Sequence, residues 1–234
     1  MKIFFISVML LLSMCGCVDN KQTLHETILL KHQVNSLEHV SDYIDNGYDG
    51  IEFDLHISDT SLLVYYDSPQ EAISFTDYVD FIEEHPYYYY FWIDVKEFTL
   101  KGLLEFTRKM PPLSNCFIET NVDGIVDFLT DKNYNLVYTV RYIADWNESD
   151  SLQLKKEIDN TIRTYSIMGL ASNHMMYYNT CNVFSQYPKY IWCVPANEPN
   201  WEISKHILSD PSVMVLLLDF DNVHELKEGN LVDY

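Results

Sequence analysis

Eight short apolar segments recur along this chain, and a stretch with helical spacing separates each from the next. The strand-like segments are residues 27–32, 50–56, 88–95, 115–119, 135–140, 165–170, 189–194 and 213–218. Helical patterns lie between them at about 36–46, 74–84, 99–109, 122–131, 151–162, 175–186 and 201–208. Strands alternating with helices imply parallel pairing through crossovers, which leaves a doubly wound sheet or a closed barrel. His32-Gln33-Val34-Asn35-Ser36 follows the first strand where a nucleotide-binding sheet would carry a glycine-rich loop. The count of eight favours a (β/α)8 TIM-type barrel, with residues 27–234 as one domain. Little chain remains after the eighth strand, so the last helix is expected to be reduced. In the first helix, Asn35 or Ser36 is placed to cap, Val40 and Ile44 share a face, and Gly47 ends the helix.

Two of the strands carry charge where a buried strand should not. Glu52, Asp54 and His56 alternate with Ile51, Phe53 and Leu55, so one face of the strand is polar and the other apolar. The segment Phe91-Trp92-Ile93-Asp94-Val95-Lys96 repeats the arrangement. Charge in a core strand is costly unless it is paired or bound to a metal, so two such strands suggest one shared site. A structural reading competes at each position: His32 as a hydrogen-bonded core histidine, Asp94 with Lys96 as a plain ion pair. The Glu52/Asp54 pair is the hardest to explain in that way.

Barrels of this type build their sites at the C-terminal ends of the strands. His32, Glu52, Asp54, His56, Asp94, Lys96, Glu119, Trp192, Asp219 and Asp221 all fall at such ends. Carboxylates there suit a hard cation, Ca²⁺ or Mg²⁺. The expected ligands are Glu52, Asp54 and Asp94. His32 is the expected nucleophile or base, with Lys96 assisting, and Asn35, Glu119 and Trp192 are the expected substrate contacts.

At these residues the chain resembles the phospholipase C-like phosphodiesterases, the superfamily of the glycerophosphodiester phosphodiesterases. The likeness covers mainly residues 28–120, through His32, Gly50-Ile51-Glu52-Phe53-Asp54 and Asp94-Val95-Lys96. The His-x-x-Asn-Ser opening, Trp92-Ile93-Asp94-Val95-Lys96 and Ile118-Glu119-Thr120-Asn121 look closer to the menorin-like branch. The resemblance implies a barrel, a divalent cation on Glu52, Asp54 and Asp94, two catalytic histidines, and a small-molecule or lipid-derived phosphodiester as ligand. One position departs: Tyr65-Tyr66-Asp67 stands where the family carries His-His-Asp. An active enzyme would need Tyr66 or His56 in place of the missing acid. A barrel that has lost catalysis and binds a phosphorylated or glycan ligand is the alternative, and a purely structural lipoprotein is the third reading.

The N-terminus reads separately. Lys2, the apolar run Ile3 to Leu12 and Ser13-Met14-Cys15-Gly16-Cys17 resemble a bacterial lipoprotein signal, too short for a spanning helix. Residues 1–17 are the expected signal and lipobox, Cys17 the acylated residue, and 18–26 a polar tether. The expected location is the bacterial cell envelope, with the membrane reached through the acyl anchor. A net charge of −20 argues against nucleic-acid partners and electrostatic docking on anionic lipid. Three cysteines remain, Cys116, Cys181 and Cys193. Cys181 with Cys193 is the plausible disulfide, against three buried thiols, and no Cys/His spacing resembles a zinc site.

Overall fold

A computed structural model describes residues 27–85, 89–141 and 148–227. Ten strands fall in this range: β1 Ile28–Lys31, β2 Gly50–Ile57, β3 Leu62–Val64, β4 Ile73–Ser74, β5 Tyr90–Glu97, β6 Cys116–Thr120, β7 Asn135–Thr139, β8 Ile167–Asn173, β9 Lys189–Val194 and β10 Val213–Leu218. Eight of them pair in parallel in the order β1-β2-β5-β6-β7-β8-β9-β10 and close back onto β1. The helices between them are α1 Val40–Asp45, α2 Phe75–Glu84, α3 Leu100–Lys109, α4 Asp123–Thr130, α5 Glu148–Thr164, α6 Tyr177–Val183, α7 Glu198–Leu208 and α8 His224–Lys227. The chain is a (β/α)8 barrel, and its last helix is the expected remnant, with Val223 and Leu226 buried.

Helices α2, α3 and α4 each dock through one apolar stripe. In α2 the buried residues are Phe75, Tyr78, Val79 and Ile82, spaced three and four apart, and the Ser74 hydroxyl caps the helix by accepting from the Thr76 amide. In α3, Thr99 accepts from the Gly102 amide, and Arg108 and Lys109 sit at the carboxyl end, where cations are favoured. The strands bury both faces. Outward residues such as Ile51, Phe53, Ile93 and Ile118 pack under the helices. Inward residues Leu30, Trp92, Phe117, Val137, Ala171, Tyr190, Val215 and Leu217 fill the lower barrel. Gly50 lets β2 and β5 meet, since a Cβ there would lie 1.9 Å from the Tyr90 carbonyl oxygen.

Three features depart from the sequence reading. Helix α1 begins at Val40, after His39, without a side-chain cap from Asn35 or Ser36. The Asn35 amide is held elsewhere, by Asp54. Gly47 does end the helix, at φ +98°. The unforeseen strands β3 and β4 are three and two residues long, too short to show a period. They lie where β2 outruns β1: β1 stops at Lys31 opposite Ile51, and β3 takes the freed edge antiparallel, with Val64 opposite Leu55. Finally, Cys116, Cys181 and Cys193 are all free thiols. Cys181 and Cys193 each donate to a different aspartate, Asp210 and Asp219, which overturns the expected disulfide.

The lipobox with Cys17, the tether and the tyrosines at 87 and 88 lie outside the described residues. Among the described residues no helix is long and apolar enough to cross a membrane.

Candidate active site

Register lines up the charged side chains at the carboxyl end of the barrel. Asp54 pairs across to Asp94, and Asp94 to Glu119, so β2, β5 and β6 present three carboxylates at one level. Glu52 is one inward position below Asp54. The side chains of Glu52, Asp54 and Asp94 converge, each offering an oxygen within 4.8 Å of the others. Glu52 and Asp54 are 2 % and 1 % exposed.

One cation faces this group. The Lys96 ammonium lies 2.8 Å from Asp54 Oδ1 and 2.5 Å from Asp94 Oδ2. Burial alone would lower its pKa, but the two aspartates hold it above the ordinary lysine value, so it stays charged. Three carboxylates against one ammonium leave excess negative charge in a buried place. Its signature is protonation. Burial, then the neighbouring Asp54, pushes the Glu52 carboxyl well above the usual range. Burial raises Asp94 also, against the pull of Lys96. Buried oxygen donors with uncompensated charge are the chemistry of a hard-cation site. Two Ca–O bonds of about 2.3–2.6 Å reach up to roughly 5 Å, so donors within 4.8 Å of one another can share one ion. The residues therefore fit the cation that the resemblance implies.

The loop after β1 is fastened across the mouth. Asn35 donates to Asp54 Oδ2 at 3.1 Å and accepts from the Asp54 amide at 3.0 Å. The Gln33 amide donates to Glu52 Oε2 at 2.7 Å, with Gln33 in the left-handed region at φ 56°. Between them these bonds set the position of His32. Its Nδ1 is 3.0 Å from Asp219 Oδ1, and its Nε2 is 4.0 Å from Glu52 Oε2. Burial tends to raise the Asp219 carboxyl, but hydrogen bonds from His32 and Cys193 outweigh it and hold Asp219 below the usual range. In the tautomer that donates Nδ1–H to an ionised Asp219, the Nε2 lone pair is turned toward Glu52.

The other expected site residues divide. Glu119 is 4 % exposed and inside the barrel, accepting from Trp92 Nε1 and the Thr139 hydroxyl at 2.9 Å each. Burial and the Asp94 charge raise its carboxyl to about 8. Trp192 is half-buried, and its indole N–H has no hydrogen-bond partner among the described residues. Tyr66 is 53 % exposed. Its neighbour Tyr65 stacks on His56, centroids 3.8 Å apart and planes 10° from parallel. Both His56 ring nitrogens are buried without a hydrogen bond, the nearest charge being Glu97 Oε2 at 3.9 Å. From the sequence, Asp219 has no assigned site role and Cys193 only that of a disulfide partner. Asp219 showed only as an acid after strand eight, and Cys193 stands out of phase for an inward residue.

Neither family models nor curated protein sequences match this chain. Solved structures do. A glycerophosphodiester phosphodiesterase from Thermotoga maritima aligns with a TM-score of 0.55 at 16 % identity, over 89 % of this chain and 99 % of that one. A phosphodiesterase from Oleispira antarctica, in complex with the product sn-glycerol-3-phosphate, aligns with a TM-score of 0.61 at 10 % identity, over 86 % and 97 %. A 7,8-dihydropteroate synthase from Vibrio fischeri reaches 0.58 at 9 % identity, over 88 % and 92 %. At such identities the likeness is one of fold.

Proposed function

We propose that this chain is a metal-dependent phosphodiesterase of the glycerophosphodiester or phospholipase type, anchored on the bacterial cell envelope through Cys17. The observation that carries the reading is the convergence of Glu52, Asp54, Asp94, Lys96 and His32 on one mouth. Phosphodiesterases among the structurally similar proteins support it, one of them bound to sn-glycerol-3-phosphate.

Each residue has work suited to its setting. Glu52, Asp54 and Asp94 would hold Ca²⁺ or Mg²⁺, which when bound supplies positive charge to the phosphoryl oxygens. Lys96 spends two of its three N–H donors on Asp54 and Asp94, and the third is available to a phosphoryl oxygen. His32 acts through Nε2 as nucleophile or base, while Asp219 fixes the tautomer and stabilises the imidazolium that forms. Asn35 holds Asp54 in place, and Trp192 offers an apolar wall. Protonation of the leaving group falls to Tyr66 or His56. An unperturbed tyrosine, with a pKa near 10, is a weak acid for this task.

The test is turnover by the purified chain of glycerophosphodiesters and lysophospholipids with Ca²⁺ or Mg²⁺. His32→Ala is the control. Rates no higher than the control defeat the enzymatic reading. Ligand binding without turnover would favour the barrel that only binds.

A further inference from the structure

On the β1–β10–β9 side of the mouth, His32, Cys193 and Asp219 come together, each offering a ligand atom within 4.8 Å of the others. His32 Nδ1 lies 3.0 Å from Asp219 Oδ1, and Cys193 Sγ lies 3.1 Å from Asp219 Oδ2. All three are half-buried, open enough for an ion to enter. The thiol is there because of an irregularity in β9. Leu216 pairs with Ile191 and Leu218 with Val194, so two residues of β9, Trp192 and Cys193, stand opposite one of β10. Ile191 and Val194 both pack outward under the helices. The extra residue thus turns Cys193 toward Asp219, against the ordinary alternation. Bulges beside active sites re-aim side chains in this way.

The donor set differs in kind from its neighbour. Glu52, Asp54 and Asp94 give oxygen alone, which selects hard cations. Imidazole nitrogen, thiolate sulfur and one carboxylate select a borderline-soft ion. Zinc bonds of about 2.0–2.3 Å place tetrahedral ligands roughly 3.3–3.7 Å apart. The two contacts, 3.0 Å and 3.1 Å to different oxygens of Asp219, are hydrogen bonds that need to open by only a few tenths of an ångström. We propose that His32, Cys193 and Asp219 form a second metal site, selective for Zn²⁺ or a similar ion, with its fourth position facing the mouth. The thiol releases its proton on binding. The ion takes the Nδ1 lone pair, which puts the imidazole proton on Nε2. On the phosphodiesterase reading, Zn²⁺ here therefore opposes turnover, because His32 loses its free lone pair.

Cobalt(II) tests the site apart from that reading, since ligation by thiolate gives it an intense near-ultraviolet charge-transfer absorption. Titrating the reduced full-length chain should develop this band at one equivalent, and Zn²⁺ should bleach it. Cys193→Ser should abolish the band. Cys181→Ser should keep it, and so should Glu52→Gln combined with Asp94→Asn. A wild type without the band, or a Cys193→Ser variant that retains it, overturns the proposal. If Cys193→Ser does not fold, Asp219→Asn decides: Co²⁺ affinity should fall at least tenfold, and an unchanged affinity overturns the site.

Discussion

At the scale of single residues, burial decides which acids are ionised. Glu119 stays protonated to about 8 in the folded chain, because burial and the Asp94 charge disfavour the anion. An unfolded glutamate ionises near 4.3. As pH rises between these values the unfolded chain gives up a proton that the folded chain keeps, so stability falls with pH across that window. The loss is on the order of a few kcal/mol for a shift of this size. Glu119→Gln keeps a carbonyl for Trp92 and gives an amide to the Thr139 oxygen, without the proton. In EDTA, the variant should lose less melting temperature than wild type between pH 5 and pH 8. Parallel curves would show that Glu119 does not titrate as its surroundings imply.

At the scale of elements, the seam between β2 and β5 carries the site, and Gly50 sets its spacing. A Cβ at this position would lie 1.9 Å from the Tyr90 carbonyl oxygen and 2.6 Å from its amide nitrogen. Neither backbone atom can swing aside as a side-chain tip could. Gly50→Ala should therefore cost about 3 kcal/mol or more. That is a fall in melting temperature of roughly 6 °C or more for a domain of this size, measurable by calorimetry. A fall under 2 °C would mean that the strands separate easily. The hairpin β3–β4 answers a different need. It covers the edge that β2 exposes beyond β1, and so carries Tyr65 onto His56.

At the scale of the whole molecule, the proposed function rests on two attachments, a cation in the mouth and an acyl chain at the N-terminus, and each can be tested. An ion that binds only the folded state adds roughly 2.7 kcal/mol at a hundredfold excess over Kd. Millimolar Ca²⁺ or Mg²⁺ should therefore raise the melting temperature by about 5–10 °C over EDTA. Asp54→Asn, which removes a charged ligand, should abolish most of that gain. Equal melting temperatures with and without the ion would mean that the three carboxylates bind none. Cys17→Ser should move the protein from the membrane fraction to the soluble one and remove acyl mass from the N-terminal peptide. Unchanged partitioning would refute the anchor, because an acidic chain of charge −20 has no electrostatic route to anionic lipid.

Much of the barrel was legible in the residues, because local patterns write it: eight apolar strands, the helical stripes between them, and inward charge at Glu52, Asp54, Asp94 and Lys96 in phase with a period of two. What escaped was what depends on partners far along the chain. Asn35 reads as a cap by its neighbours, yet Asp54 takes it. Cys181 and Cys193 read as a pair by count, yet each finds its own aspartate. Strands β3 and β4 exist because β1 is short, and no pattern within residues 57–74 says so. The bulge in β9 turns Cys193 inward only through its register with β10. Periodicity is fixed by the chain's own geometry and survives in sequence. Register, hydrogen-bond partners and shared ligands are fixed by barrel closure, which joins β1 to β10 across nearly the full length of the described chain.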